Sequence, residues 1–174
     1  MEEGFIAKGF IIAKYLLAHM YCSLVCQDPV AVVTPVSIAS PNQQVVANFV
    51  VERRAGLDVS IFFVWQSGDS KRAEQRELWR GRYNQRGISL PVHMRVLKGS
   101  EVFFDDVVVT TGVNAGRSLK YGGQQKAVGV RPVRSLLLDS GSYSVEVSTV
   151  NVVEAFNGEE CYFEFYAYDI RELD

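Results

Sequence analysis

The chain has 174 residues, 48% of them apolar and 22% charged, with a net charge of −2 and a pI near 5.7. This balance excludes a disordered chain and gives no global reason to expect nucleic acid as a partner. The length suits one domain with a sizeable core, preceded by an N-terminal extension.

Residues 1–26 are apolar apart from Lys8, Lys14 and a few polar positions. They are expected to form a leader or membrane-tethering helix with its apolar middle at residues 15–25. A buried amphipathic helix is the other reading. Lys14 leaves the uninterrupted apolar run short for a full membrane span. Glu2 and Glu3 are unusual for a leader, and Val25 stands where a lipoprotein box wants a small residue before Cys26. A leader places the protein in the periplasm or tethered to the cell envelope, with membrane contact only through that leader. Cys22, Cys26 and Cys161 form no disulfide framework, and no Cys-x-x-Cys or histidine pairing suggests zinc. No cofactor is expected.

Residues 27–43 contain Pro29, Pro35 and Pro41 and read as an extended linker or an edge strand. The folded domain is expected over 44–174. Val45, Ala47, Phe49 and Val51 alternate as one face of a strand, followed by charges at 52–54 and a turn at Ala55-Gly56. Leu57, Val59, Ile61, Phe63 and Trp65 form the inward face of the next strand. Phe62 and Val64 on its other face imply a central strand covered on both sides, and Trp65 is the candidate aromatic plug. Ser70 can cap a helix over 71–80 that ends at Gly81. Ile88, Leu90, Val92, Met94 and Val96 alternate again, with Pro91 favouring an edge position. Lys98-Gly99-Ser100 turns into a strand over 101–111, where adjacent Asp105 and Asp106 signal an edge or a bulge. Residues 112–125, rich in Gly, Asn, Ser and Gln, read as a long mobile loop. A strand over 127–138 is kinked at Pro132. After the Tyr143 strand comes a turn at Asn157-Gly158. Cys161, Phe163, Phe165 and Ala167 then share one face of the last strand, with Tyr162, Glu164, Tyr166 and Tyr168 on the other.

Asp139-Ser-Gly141-Ser-Tyr143-Ser-Val145 resembles the corner of immunoglobulin-like sandwiches, where a tyrosine turns its hydroxyl back onto upstream backbone. Val145 occupies the place of the antibody cysteine, so no inter-sheet disulfide follows. The expected fold is all-β: an immunoglobulin-like antiparallel sandwich of seven or eight strands with one short helix. Val59-Ser-Ile-Phe-Phe63, Gly87-Ile-Ser-Leu-Pro-Val92 and Leu138 to Val145 together resemble a family of small uncharacterised proteobacterial envelope proteins, often lipoproteins. That resemblance implies a leader, a lipidated cysteine and one immunoglobulin-like domain. By analogy with envelope proteins of this shape, it extends to immunity proteins that block toxins delivered by rival bacteria.

No stretch carries recognisable catalytic chemistry. A Cys161–His93 pair is conceivable, but Cys161 falls on an apolar face and His93 on a polar one. Binding has more to work with. Arg72, Arg76 and Arg80 are spaced by four along the helix, and Lys71, Arg82 and Arg86 extend the patch, which Glu74 and Glu77 partly neutralise. It is either a solvated helix face or an electrostatic dock for an acidic protein, a toxin or an envelope component. Tyr162, Tyr166 and Tyr168 form either an interface stripe or ordinary cross-strand packing. The expectation is a non-enzymatic protein-binding module, with a structural or carbohydrate-binding subunit of a surface assembly as the alternative.

Overall fold

The computed structural model describes residues 30–80 and 86–170. The apolar stretch 1–26, with Cys22 and Cys26, and also Arg82 lie outside the described residues. Among the described residues nine strands form: β1 (Val30–Val36), β2 (Gln44–Val51), β3 (Ala55–Val64), β4 (Leu90–Lys98), β5 (Glu101–Thr110), β6 (Ala115–Tyr121), β7 (Gln124–Leu138), β8 (Gly141–Thr149) and β9 (Cys161–Asp169). Helix α1 (Asp69–Arg80) follows β3, and a single 3-10 turn spans Glu154–Phe156. One sheet runs β1-β9-β3-β7-β6 and the other β2-β8-β4-β5, with every pairing antiparallel.

The two sheets face each other as an all-β sandwich because their inward positions are apolar at period two. Val45, Ala47, Phe49 and Val51 of β2, with Val92, Met94 and Val96 of β4 in the same sheet, share one core with Leu57, Val59, Ile61 and Phe63 of β3 in the other. Each of these Val, Leu, Ile, Phe and Met side chains contributes about 1.5–3 kcal/mol by leaving water. The corner is present: the Tyr143 hydroxyl donates to the Asp139 carbonyl oxygen at 2.9 Å. The Phe103 ring meets the Tyr143 ring edge-on at 5.8 Å.

Several expectations are corrected. Among the described residues the sandwich has nine strands, because 30–36, read as either a linker or an edge strand, and part of the supposed loop over 112–125 are both paired. From Val30 to Val36 the second of those readings holds: the chain is an edge strand, held by β9 from Val30↔Ala167 to Val36↔Cys161. The supposed loop over 112–125 contains β6, which pairs with β7 from Ala115↔Val130 to Tyr121↔Gln124. Gly122 and Gly123, both at positive φ, make the two-residue turn that only such residues close easily. The strand after this turn begins at Gln124 and carries its irregularity where Pro132 faces Ser60 and Val133 is the extra residue.

Strand β4 is not an edge. It lies between β8 and β5 and tolerates Pro91 because pairing with β8 begins only at Val92. The edge is β5, as Asp105-Asp106 implied. Asp106 sits opposite buried Met94 yet is itself exposed, its carboxylate accepting from the Val107 N–H at 2.7 Å. Helix α1 starts at Asp69, two residues before the expected start, so Ser70 lies inside its first turn. The aromatic plug is Trp79, fully buried. Trp65 is half-buried beyond the end of β3 and packs on Trp79 at 4.4 Å between ring centroids.

Candidate functional site

Helix α1 is fixed to the end of the sandwich by residues that a hydropathy pattern does not reveal. The buried Gln75 amide accepts from the Gln66 N–H at 3.0 Å and donates to the Val64 carbonyl at 3.2 Å and the Glu159 carboxylate at 2.8 Å. One turn on, Trp79 packs on Phe63 at 5.0 Å. The last carbonyls of the helix, which have no partners within it, are met by tertiary structure. The Leu78 oxygen accepts from the Ile88 N–H, and the Trp79 oxygen from the Val113 N–H.

Arg131, on the inward face of β7 and fully buried, completes this arrangement. Its guanidinium donates to the Trp79 carbonyl at 3.0 Å and the Ile88 carbonyl at 2.9 Å. It lies over the rings of Phe63 and Phe156 at 5.1 and 5.4 Å. A cation at a helix C-terminus is favoured by the helix dipole. Burial lowers its pKa to about 10, so it stays charged at neutral pH. Neither Gln75 nor Arg131 was singled out in the sequence. A Gln facing the apolar side of a helix, and an Arg alternating with Val in a strand, were the available signals.

With the helix so held, Arg72, Arg76 and Arg80 are all exposed along one side. The Arg72 Nε donates to the Gln66 carbonyl at 3.2 Å. Lys71 pairs with Glu74 at 3.1 Å on the other side, so the charges are partly segregated. Arg86 is exposed, two residues before Ile88 bonds the helix end.

The tyrosines occupy the outer face of the five-stranded sheet and divide into two pairs. Tyr162 is buried, against expectation for an interface residue, because Phe62, Leu119 and Val128 form a second small core around it. Its ring lies 4.8 Å from Tyr121, and its hydroxyl donates to Glu160 at 2.5 Å, as does the Lys126 ammonium. These two donors hold the Glu160 carboxyl below its usual range. Nearby, exposed Arg117 covers the Phe62 ring at 4.3 Å and pairs with Glu164. Burial raises the Glu164 pKa despite that pairing. At the far end of β9, Tyr166 and Tyr168 are half-buried and stacked at 5.5 Å. Tyr168 lies directly on Gly56, where a Cβ would come within 2.3 Å of its ring. The basic helix contacts the Cys161 end of β9 through Glu159, so the structure does not join it to the Tyr166–Tyr168 pair.

Cys161 and His93 are not brought together. Cys161 is buried in the first sheet, its thiol donating to the Glu159 carbonyl at 3.6 Å and pushed well above its usual pKa by burial. His93 is half-exposed in the second sheet, 2.6 Å from the Asp105 carboxylate. Among the described residues no group of three His, Cys, Asp or Glu could hold a metal ion, and no helix is long and apolar enough to cross a membrane.

No curated protein matches the sequence. A crystal structure of a protein from Sulfurospirillum deleyianum superposes with a TM-score of 0.61 at 13% identity, covering 83% of this chain and 99% of that one. That likeness is one of fold. A family GH115 4-O-methyl-α-glucuronidase with specificity for decorated arabinogalactans superposes at 0.35 and 11% identity, over 84% of this chain but only 17% of the enzyme. The profile of one family spans residues 33–167, from within β1 to near the end of β9, and thus nearly the whole sandwich. The chain therefore belongs to the DUF5625 family, described as a domain of unknown function.

Proposed function

We propose that this chain is a non-enzymatic protein-binding module of the bacterial cell envelope, in the periplasm or tethered to the membrane by its N-terminal stretch. In its specific form it is an immunity protein that neutralises a secreted toxin. One observation carries the reading. Arg72, Arg76 and Arg80 are exposed along one side of a helix that Gln75 and Trp79 lock to the sandwich. Positive charge on a rigid element steers an acidic partner and fixes its orientation without ordering the element on binding. Co-purification of the tagged chain from envelope extract tests it. An acidic protein should be retained by the native chain and lost from the Arg72→Glu, Arg76→Glu, Arg80→Glu triple variant. Equal retention by both, or none by either, counts against the proposal.

The Tyr166–Tyr168 stack favours a second reading, a structural or carbohydrate-binding subunit of a surface assembly. Half-exposed aromatic rings on a sheet suit the apolar faces of sugars. Retention on immobilised glycans that disappears in Tyr166→Ala would favour it over the first.

A further inference from the structure

Among the described residues, four strands have a free side: β1 and β6 at the edges of one sheet, β2 and β5 at the edges of the other. An unpaired edge invites another strand, and proteins block it with proline, charge or bulges. Three of the four are blocked in this way. Strand β1 contains Pro35, β6 contains Arg117 and Lys120, and β5 carries Asp105, Asp106 and a bulge opposite Val96 and Leu97. Strand β2, Gln44–Val51, has no proline and no charge, and it runs against β8 without a register shift. Its outward face exposes Val46 (46%) and Val50 (69%), with Asn48 between them.

We propose that β2 is a self-association edge, pairing antiparallel with β2 of a second copy of this chain about a twofold axis at Asn48. The strand's own pattern selects that occupant. About Asn48, each Val46 lies opposite Val50 of the second copy, and Asn48 lies opposite its own equivalent. On the inner face Ala47 meets Phe49 and Val45 meets Val51, small against large in the first case. An axis at Ala47 would set Val46 against Asn48 and Val50 against Gln44. An axis at Phe49 would set Val46 against Glu52. Axes between residues would turn the buried face of one copy outward. At the ends, Glu52 and Arg53 come beside Gln44 and Gln43, so no like charges meet. A cleft of about 210 Å³ between β2 and the β1–β9 side, lined by Val30, Phe49, Val51, Ala167 and Tyr168, leaves room beside the seam. The product is a closed dimer with one continuous eight-stranded sheet and both of its β2 edges consumed. A seam of one strand pair lies near the low end of specific interfaces, about 1,000 Å² in total, so the dimer should dissociate on dilution.

The test uses the full chain, with Cys22 and Cys26 replaced by serine, in mild detergent. Light scattering across a dilution series should show a monomer–dimer equilibrium, and Val50→Lys should raise its dissociation constant at least about tenfold. Asn48→Cys should form an intermolecular disulfide under mild oxidation, because residues directly opposite in antiparallel strands have Cα atoms about 4.5–5.5 Å apart. A strict monomer at every concentration overturns the proposal, and so does a dimer that Val50→Lys leaves intact. A dimer in which Asn48→Cys does not cross-link shows another register or surface and also overturns it. Partner capture through Arg72, Arg76 and Arg80 is read separately and does not depend on this result.

Discussion

Replacing Tyr143 by phenylalanine removes one oxygen and little else. The ring is buried, packed edge-on against Phe103, with the Lys98 ammonium 5.7 Å from its centroid. Phenylalanine can keep those contacts. What disappears is the hydroxyl that donates to the Asp139 carbonyl at 2.9 Å and ties the start of β8 back to the turn after β7. Such a bond contributes about 0.5–1.5 kcal/mol net. Since the acceptor sits at an exposed turn, where water can replace the donor, the expected loss is about 1 kcal/mol. For a domain of this size that lowers Tm by about 2–4 °C. Urea unfolding followed by tryptophan fluorescence should show a lower midpoint with an unchanged slope, because the surface exposed on unfolding is the same. A Tyr143→Phe chain as stable as the native one would refute the role of this corner as a clamp. A loss above about 3 kcal/mol would show that the ring itself had repacked.

Arg131→Ala should destabilise by about 3 kcal/mol, since it withdraws charged donors from the buried Trp79 carbonyl and the part-buried Ile88 carbonyl and leaves a cavity between Phe63 and Phe156. A urea midpoint equivalent to within about 1 kcal/mol of the native chain would contradict the stitch between the helix end and the segment leading into β4. Glu164 has a folded pKa raised by burial, so between that raised value and the ordinary 4.5 the folded state holds more protons than the unfolded state, and its stability cost shrinks as pH falls. Relative to Glu164→Gln, the native chain should therefore gain stability on acidification through this window, and an opposite slope in paired urea titrations would refute the sign. Cys161 should resist thiol reagents in the folded chain and react fully in denaturant; rapid labelling of the folded chain would show that its burial is wrong.

Most of the sandwich was legible because the alternation is strict where both partners are aliphatic. Val45 to Val51, Leu57 to Phe63 and Val92 to Val96 all put the expected residues inside. Where pairing overrides composition, the reading failed. Strand β6 is Ala-Gly-Arg-Ser-Leu-Lys-Tyr, with little to mark it as a strand except the Gly-Gly turn that folds it onto β7. Proline points to a sheet edge in both places and is right in one: Pro35 sits in a genuine edge strand, whereas Pro91 sits near the start of an interior one. For the candidate surfaces, periodicity found the arginine row, because spacing by four is visible without a fold. It could not show that Lys126 lies over Tyr162 and Arg117 over Phe62 from a hairpin far away in sequence, nor that Gln75 and Arg131 hold the helix. Those are long-range contacts of polar residues, and no local pattern encodes them.

The most direct test of the docking account is quantitative mass spectrometry of what the tagged full chain retains from envelope extract at low and raised salt, beside the Arg72→Glu, Arg76→Glu, Arg80→Glu variant. The account predicts at least one acidic protein enriched by the native chain, weakened by salt and absent from the variant. Identical protein sets from the native chain and the variant, or retention indifferent to salt, would contradict it.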